Sequence, residues 1–233
     1  MSVLSLIQSA CNNLGILTPS LVAGSSDPQV IQLLSLANTE GKLLAKRYDW
    51  QALRQEAVFT TVAAELQGAL STIAPGSRNI VNSTMWNRSL NRPVFGPLSA
   101  QDWQVWKSAS LSGPYSEYRI MSGRVFFFPA PVAGQSIAFE AVTRNWCTDS
   151  TGLTGREAWL LDDDIGRLDE DLMLLGLIWR WRKSKGLDYS EDFTIYERQV
   201  ATDFSRDGSK ARLNLEGARQ AFDPVVVVPA GSW

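Results

Sequence analysis

Residues 160–186, LLDDDIGRLDEDLMLLGLIWRWRKSKG, decide the fold, because their spacing predicts one long helix at the centre of a helical unit. One apolar stripe is formed by Leu161, Ile165, Leu168, Leu172, Leu175 and Trp179. Met173, Leu177 and Trp181 form a second apolar face, so the middle of this helix should be buried on almost all sides. Acidic residues crowd its beginning and cations crowd its end, which complements the helix dipole.

Two helices are predicted before this segment. The first stops at Gly15 and buries a stripe formed by Val3, Leu4, Ile7, Ala10, Cys11 and Leu14. The second starts at Asp27 and Pro28, a capping side chain followed by a first-turn proline, and runs to about Tyr48. Its predicted buried side holds Val30, Ile31, Leu34, Ala37, Gly41, Leu44, Ala45 and Tyr48. Gly41 weakens the helix, and a close approach of another helix would explain it.

One helix is predicted after the central segment, ending at Gly208. Asp188 precedes Glu191 by three residues, a spacing typical of a capping box. The predicted buried side of this helix holds Phe193, Tyr196, Val200 and Phe204. The amino-terminal and carboxy-terminal helix pairs should therefore close one bundle.

Between the helix pairs, residues 55–147 carry short runs of β-type sequence separated by Gly, Pro, Asn and Ser. Ser122 and Gly123 predict a hairpin turn, and residues 99–109, SAQDWQVWKSA, predict one short helix. We predict an α+β protein in three parts. These are a helical bundle (1–52 plus 158–208), a β-rich insert lobe (53–157) and an extended C-terminal arm (209–233).

The composition narrows the chemistry that the chain can perform. Its 233 residues include no histidine and two cysteines, and the formal net charge is −2. Without histidine there is no Ser-His or Cys-His nucleophile pair. Cys11 lies on a predicted core stripe, and Cys147 lacks an activating base, so both are predicted to be inert. The longest apolar run has eight residues, which predicts no membrane contact, and the start lacks a signal sequence, which predicts synthesis in the cytosol.

Acidic residues are the remaining candidates for catalysis. Asp162, Asp163 and Asp164 lack the spacing of a calcium loop, and we predict that they form a solvated first helical turn. No phosphate loop or dinucleotide motif occurs, so we expect no metal and no cofactor. The alternative is a cell-wall-degrading hydrolase that uses carboxylates, for which Glu117, Glu140 and Glu157 are available. The spacing of these glutamates selects no pair, so we predict no catalytic residue and no enzyme activity.

Two further segments are candidates for binding other molecules. Arg180, Arg182, Lys183 and Lys185 alternate with tryptophans, a pattern that also occurs where proteins bind nucleic acid. We favour a helix end whose tryptophans face the core, although a ring of many copies could bring these cations to DNA. The tail, AFDPVVVVPAGSW (221–233), is apolar and bounded by prolines. It is either a last strand on its own sheet or an arm that pairs with another chain.

The order of elements resembles the head-to-tail adaptor proteins of tailed bacteriophages, the tail accessory factor and tail tubular protein A group of short-tailed phages. The resemblance rests on YDWQAL (48–53), YRIMSGRVFFFPAPVAGQSIAFEAVTRNWC (118–147) and LDEDLMLLGLIWRWRKSKGLDYSEDFTIYERQ (168–199). It covers most of the chain but includes no catalytic motif, so it assigns no cell-wall cleavage.

This resemblance implies a virion protein of the neck, assembled in the host cytoplasm as a homo-oligomeric ring of twelve copies. Its partners would be the portal protein, the later nozzle or fibre proteins of the tail, and DNA in the lumen, contacted without sequence preference. The resemblance places the arm on the portal. The candidate portal-docking residues are Pro224, Val225, Val226, Val227, Val228, Pro229 and Trp233.

Overall fold

A computed structural model of the chain describes residues 1–109 and 115–208 as a mixed α+β protein. The helices are α1 (Val3–Leu14), α2 (Pro28–Arg47), α3 (Leu70–Ile73), α4 (Ala100–Ala109), α5 (Glu170–Ser184) and α6 (Ser190–Asp207). The longer strands are β1 (Arg54–Thr60), β2 (Leu66–Ala69), β3 (Ser77–Ile80), β6 (Glu117–Met121), β7 (Arg124–Phe128) and β8 (Ser136–Thr143). Two-residue strands are β4 (Trp86–Asn87), β5 (Arg92–Pro93), β9 (Cys147–Thr148), β10 (Gly155–Arg156) and β11 (Ile165–Gly166).

The first two helices begin and end where the sequence predicts. Gly15 ends α1 in the left-handed conformation, with a φ of 67°, and its N–H donates to the carbonyls of Cys11 and Asn12. Asp27 caps α2 by accepting the Gln29 N–H at 2.8 Å, and Pro28 is its first residue. Within α2, however, the predicted core residue Ile31 is exposed, and Leu33 and Glu40 are buried. The inner face of α2 therefore lies slightly to one side of the predicted stripe, because it includes Leu33 and Glu40 but not Ile31.

The prediction that one helix spans residues 160–186 was wrong at its beginning, because α5 starts only at Glu170. Residues 165–166 form β11, which pairs with β9, and the side chains of Leu161 and Ile165 are exposed. Asp169 caps the helix by accepting the Leu172 N–H at 3.0 Å. The middle of α5 is buried on most sides, as predicted.

Three smaller predictions about the helices were also wrong. Gly41 is approached by the ring of Trp146, which lies after β8, and not by a helix. Asp188 accepts from the N–H and hydroxyl of Ser190, so it forms no capping box with Glu191. Phe193 and Phe204 of α6 are partly exposed at 38% and 48%.

A single hydrophobic cluster joins α1, α2, α5 and α6. Trp146 and Cys147, from the chain after β8, are buried in the same cluster. A second cluster lies among the strands and includes Tyr118, Phe127 and Phe139. Burial of large apolar side chains in both places supplies the main driving force for folding.

The strands form three antiparallel sheets. In the largest, β8 is central, with β1 on one side and β3 and β4 on the other, and β5 follows β4. A second sheet has the order β2-β7-β6, and a third has the order β10-β9-β11. Ser122 and Gly123, at φ values of 50° and 69°, form the predicted turn between β6 and β7. Within residues 1–109 and 115–208, no helix is long and apolar enough to span a bilayer.

Candidate partner-binding surfaces

The first cation of the predicted basic cluster, Arg180, is turned inward to a glutamate. Its Nε lies 2.5 Å from Oε2 of Glu40 on α2, and the Glu40 side chain is 0% exposed. The Tyr196 hydroxyl on α6 donates to Oε1 of the same carboxylate at 2.5 Å. Burial, followed by the Glu40 charge, raises the pKa of Tyr196. The three side chains form a polar node that joins α2, α5 and α6.

Sequence reasoning missed Glu40, although its position carried a signal. It lies three residues after Ala37 and four before Leu44, both buried, so it falls on the inner stripe of α2. Space for its carboxylate comes from Gly176 on α5, where a β-carbon would overlap the Glu40 side chain. A glutamate on a buried stripe and a glycine inside a facing helix are together typical of a buried charge that needs room.

The other three cations of the cluster also have contacts within the chain. Arg182 Nη1 lies 2.6 Å from Oδ2 of Asp192. Lys183 Nζ lies 5.8 Å from the centre of the Trp179 ring. Lys185 Nζ lies 4.3 Å from the centre of the Trp181 ring and donates to Oε1 of Gln32 at 2.8 Å. Both tryptophans are buried, as the favoured interpretation of this segment predicted.

A cleft of about 540 Å³ opens beside these cations. Its walls are Leu14, Ile16, Gln29, Trp181, Arg182, Lys185, Leu187 and Asp188. Both apolar and charged side chains line the cleft.

The aspartate run of residues 162–164 is not a solvated helical turn, which corrects the prediction. The Asp162 carboxylate accepts the N–H groups of Val22 and Ala23, with Oδ1 3.1 Å from the Val22 nitrogen. Asp164 is 1% exposed and accepts from the N–H groups of Leu160 and Leu161 and from Arg156 Nη1. Burial alone would raise the pKa of Asp164, but these donors outweigh it and lower that pKa.

The bonds of Asp162 hold two loops side by side, and both loops expose large apolar side chains. Leu21 precedes Val22 and is 51% exposed, while Leu161 precedes Asp162 and is 56% exposed. The Leu4 N–H also donates to the Asp162 carbonyl at 3.3 Å, and Ser2 forms a bridge with Ile165. We use the name apolar loop patch for the exposed apolar side chains of these two loops and of β11, which are Leu17, Leu21, Leu160, Leu161 and Ile165.

The candidate carboxylates of the hydrolase alternative do not converge. Glu117 lies on β6, Glu140 on β8 of a different sheet, and Glu157 is exposed in a loop. Burial, with a smaller effect from Asp102, raises the pKa of Glu117. Across the ladder, Glu140 stands opposite Glu56.

Glu56 and Glu140 line a depression of about 400 Å³ with Trp86. Each of the two carboxylates has an arginine neighbour. Arg88 pairs with Glu56, and Arg54 Nη1 lies 3.7 Å from Oε2 of Glu140. The depression is therefore a paired-charge surface of the large sheet.

The remaining predicted sites are simple to place. Cys11 and Cys147 are both buried free thiols, and burial raises the pKa of Cys147 to about 12, so that thiol is unreactive near neutral pH. Among the residues that the structure covers, no group of histidine, cysteine, aspartate and glutamate side chains is arranged to hold a metal ion. The arm residues Pro224–Pro229 and Trp233 lie outside the described residues.

The sequence matches no model of a known protein family and no curated protein. The functional proposal below therefore rests on the geometry of these surfaces and on the resemblance of the sequence.

Proposed function

We propose that this chain is a structural adaptor at the head-to-tail junction of a tailed bacteriophage, and that it acts by binding other protein chains. The apolar loop patch is the observation that carries the proposal, because its large side chains are exposed and its two loops are joined by the hydrogen bonds of Asp162. Exposed apolar clusters of this kind mark surfaces that another protein covers. The order of elements and the local sequence resemblance add support.

In the proposed assembly, twelve copies form a ring beneath the portal. The bundle of residues 1–52 plus 158–208 forms the body of the ring, and the lobe of residues 53–157 is a platform for nozzle or fibre proteins. The arm, residues 209–233, docks on the portal through the residues given above. Two hydrophobic clusters, one mainly among the helices and one among the strands, support a division of this kind, and Trp146 and Cys147 join the lobe to the helical cluster. A ring of this type needs head-to-tail interfaces that close by rotation.

The Glu40 node supports a role that requires a rigid body. Sliding α5 or α6 along α2 would separate the buried Glu40 carboxylate from Arg180 or Tyr196. An unpaired buried charge is costly, so the node resists such movement. Helices that hold their positions suit a subunit that transmits force between the head and the tail.

Non-specific contact with DNA is proposed through the outer part of the basic cluster, Arg182, Lys183 and Lys185. A ring would place twelve copies of these side chains around one axis, which a single chain of net charge −2 does not reveal. Binding of DNA should then weaken as salt rises, with a slope that falls when these residues are neutralised.

The first experiment tests whether the apolar loop patch mediates assembly. The mass of the purified chain is measured alone and mixed with a portal ring, for the native chain and for the double variant Leu21→Asp/Leu161→Asp. We expect the dissociation constant of the assembly to rise at least about tenfold in the double variant, because charged side chains would have to lose their water at the interface in place of apolar ones. Both side chains are exposed, so folding should be unaffected.

The matched control is Val132→Asp, which changes an exposed apolar residue beside Thr61, at the far end of the large sheet. It should associate as the native chain does. Association of the double variant at native strength would rule out the patch as the assembly surface. A second comparison removes the residues after Asp223, which should weaken binding to the portal.

A second candidate function rests on the depression that contains Glu56, Glu140 and Trp86. A hydrolase that used Glu140 would cleave peptidoglycan, and the variant Glu140→Gln would lose that cleavage. Glu157→Gln is the control, since Glu157 lies outside the depression. Cleavage lost with the first variant alone would replace the adaptor proposal with the hydrolase.

A further inference from the structure

Strand β1 has an open outer edge. Its neighbour β8 directs the N–H and carbonyl of Glu140 away from β1, where they bond the Thr84 hydroxyl and the Val81 N–H. Because Glu56 stands opposite Glu140, the N–H and carbonyl of Glu56 point away from β8, and those of Val58 follow the same alternation. Within residues 1–109 and 115–208, β1 pairs with β8 alone.

The other edges are less suited to pairing, both in the β2-β7-β6 sheet and on the side of the large sheet that lies away from β1. The segment from Phe95 to Leu98 covers the beginning of β6, with the Tyr118 N–H donating to the Phe95 carbonyl at 2.8 Å. On the opposite side of that sheet, β2 is short and irregular at Gly68. On the far side of the large sheet the edge strands are β3, four residues with a register shift between Ser77 and Asn79, and β5, two residues that include Pro93. Short strands, bulges and prolines all block pairing by a further strand.

By contrast, β1 is seven residues long, and its side chains Glu56, Val58 and Thr60 are exposed. A strand of this length with unpaired backbone groups readily accepts another strand. The molecule therefore has one long acceptor edge among the strands that the structure describes.

The chain leaves α6 close to the start of this edge. The Gln51 N–H donates to Oδ2 of Asp207 at 2.7 Å, and Gln51 lies three residues before β1. Phe204 stacks on Tyr48, with ring centroids 3.9 Å apart, which fixes the end of α6 against the same segment. The end of α6 thus lies beside the residues that lead into β1.

The sequence after Gly208 contains a run of residues that favours a strand. Val225–Val228 is a run of four β-branched residues, which favour strands, and the prolines on both sides limit its length. Sixteen residues, 209–224, separate it from Gly208 and can span at most about 53 Å. The seven residues of β1 extend over about 23 Å, so the run can reach any part of the edge.

We infer that, before the chain meets a partner, Val225–Val228 pairs with the outer edge of β1 in the same chain. The pairing satisfies the outward N–H and carbonyl groups of Glu56 and Val58. Alternate valines then lie on the core side next to Phe59 and on the outer side next to Val58. The pairing covers both the unpaired edge of β1 and the valine run, each of which could otherwise pair with a second molecule and aggregate. This inference concerns the unassembled chain and does not depend on the adaptor proposal.

The experiment measures amide hydrogen exchange, residue by residue, in the full-length chain. The variant Val226→Pro/Val227→Pro blocks strand pairing in either alternation, because proline lacks an N–H and disfavours central pairing. We expect the amides of Glu56 and Val58 to exchange about tenfold faster, or more, in this variant than in the native chain. The amides of Ala57 and Phe59, which face β8, should keep their rates and so report that the fold is intact.

The control variant Val226→Ile/Val227→Ile should exchange like the native chain. Equal exchange at Glu56 and Val58 in the native chain and the proline variant would overturn the inference. Protection that falls on dilution, together with the mass of a dimer, would also overturn it, because the acceptor edge would then belong to a second copy. Binding to a portal is not measured, so neither result bears on the adaptor proposal.

Discussion

The helical and strand regions differ in whether a buried carboxylate has hydrogen-bond partners. In the helical region, Glu40 is fully buried with Arg180 and Tyr196 on its two oxygens. In the strand region, Oε2 of Glu117 is buried, and no hydrogen-bond partner for it exists among the residues that the structure describes. A buried glutamate therefore joins three helices in one region, and in the other it lowers the stability of the fold.

This difference indicates where the molecule can change shape. The helices are tied by charges whose separation is costly. In the described part of the strand region, by contrast, the Glu117 carboxylate has an oxygen without a partner and the outer edge of β1 pairs with no strand. A partner that rearranges part of the chain should act first on the strands. Substitutions of Glu40, Asp164 and Glu117 should therefore change stability by different amounts and with different signs.

The largest effect is expected for Glu40→Gln. The substitution keeps the volume but leaves the Arg180 guanidinium without its counter-charge, and we expect the free energy of unfolding to fall by about 3 kcal/mol. The control is Asp192→Asn, which breaks the more exposed pair with Arg182 and should cost less than about 1 kcal/mol. Urea unfolding of both variants measures the difference. Equal losses would show that the node contributes no more than a surface ion pair.

A smaller, pH-dependent loss is expected for Asp164→Asn. The pKa of Asp164 is lowered in the folded state, so its stabilisation is complete above the unfolded pKa of about 3.9 and disappears as pH falls through the folded pKa. We expect a loss of about 2 kcal/mol at pH 7 that shrinks in acid. The control Asp163→Asn changes an exposed neighbour and should stay within about 0.5 kcal/mol. A loss that does not change between pH 7 and pH 3 would contradict this assignment.

The smallest effect, of opposite sign, is expected for Glu117→Gln. Because the pKa of Glu117 is raised in the folded state, the native chain loses stability as pH rises from the unfolded value of about 4.3 through the folded value. The variant should therefore be more stable than the native chain at pH 7, by up to about 1 kcal/mol, and equal to it in acid. Thermal unfolding at both pH values, with Glu157→Gln as an unchanged control, measures this gain. A destabilised variant at pH 7 would remove the contrast between the two regions.

Local sequence patterns predicted the elements whose causes are local. Gly15, Asp27 and Pro28 mark helix ends through their own backbone and side-chain chemistry, and Ser122-Gly123 adopts the turn that its residue types favour. The inward direction of Trp179 and Trp181 followed from helical periodicity.

The failures share a different cause, which is contact between residues far apart in the chain. Asp162 bonds backbone groups 139 and 140 residues away, and Gly41 makes room for Trp146. Neither contact produces a periodic pattern in the sequence from which it could be predicted. An acidic run before an apolar stripe looks like a helix start when its distant donors are unknown, which is why α5 was predicted to begin too early.

The mixed α+β class, the ends of α1 and α2, the hairpin and the lack of histidine chemistry could all be predicted, because each depends on residue type or on short spacing. Contacts between distant residues set three further features: Glu40 joins three helices, Asp164 is a buried anchor, and β1 pairs only with β8 among the strands that the structure describes. These features depend on which distant groups meet. The free energy of a buried charge or of an unpaired strand is set by those neighbours, and not by the residue alone.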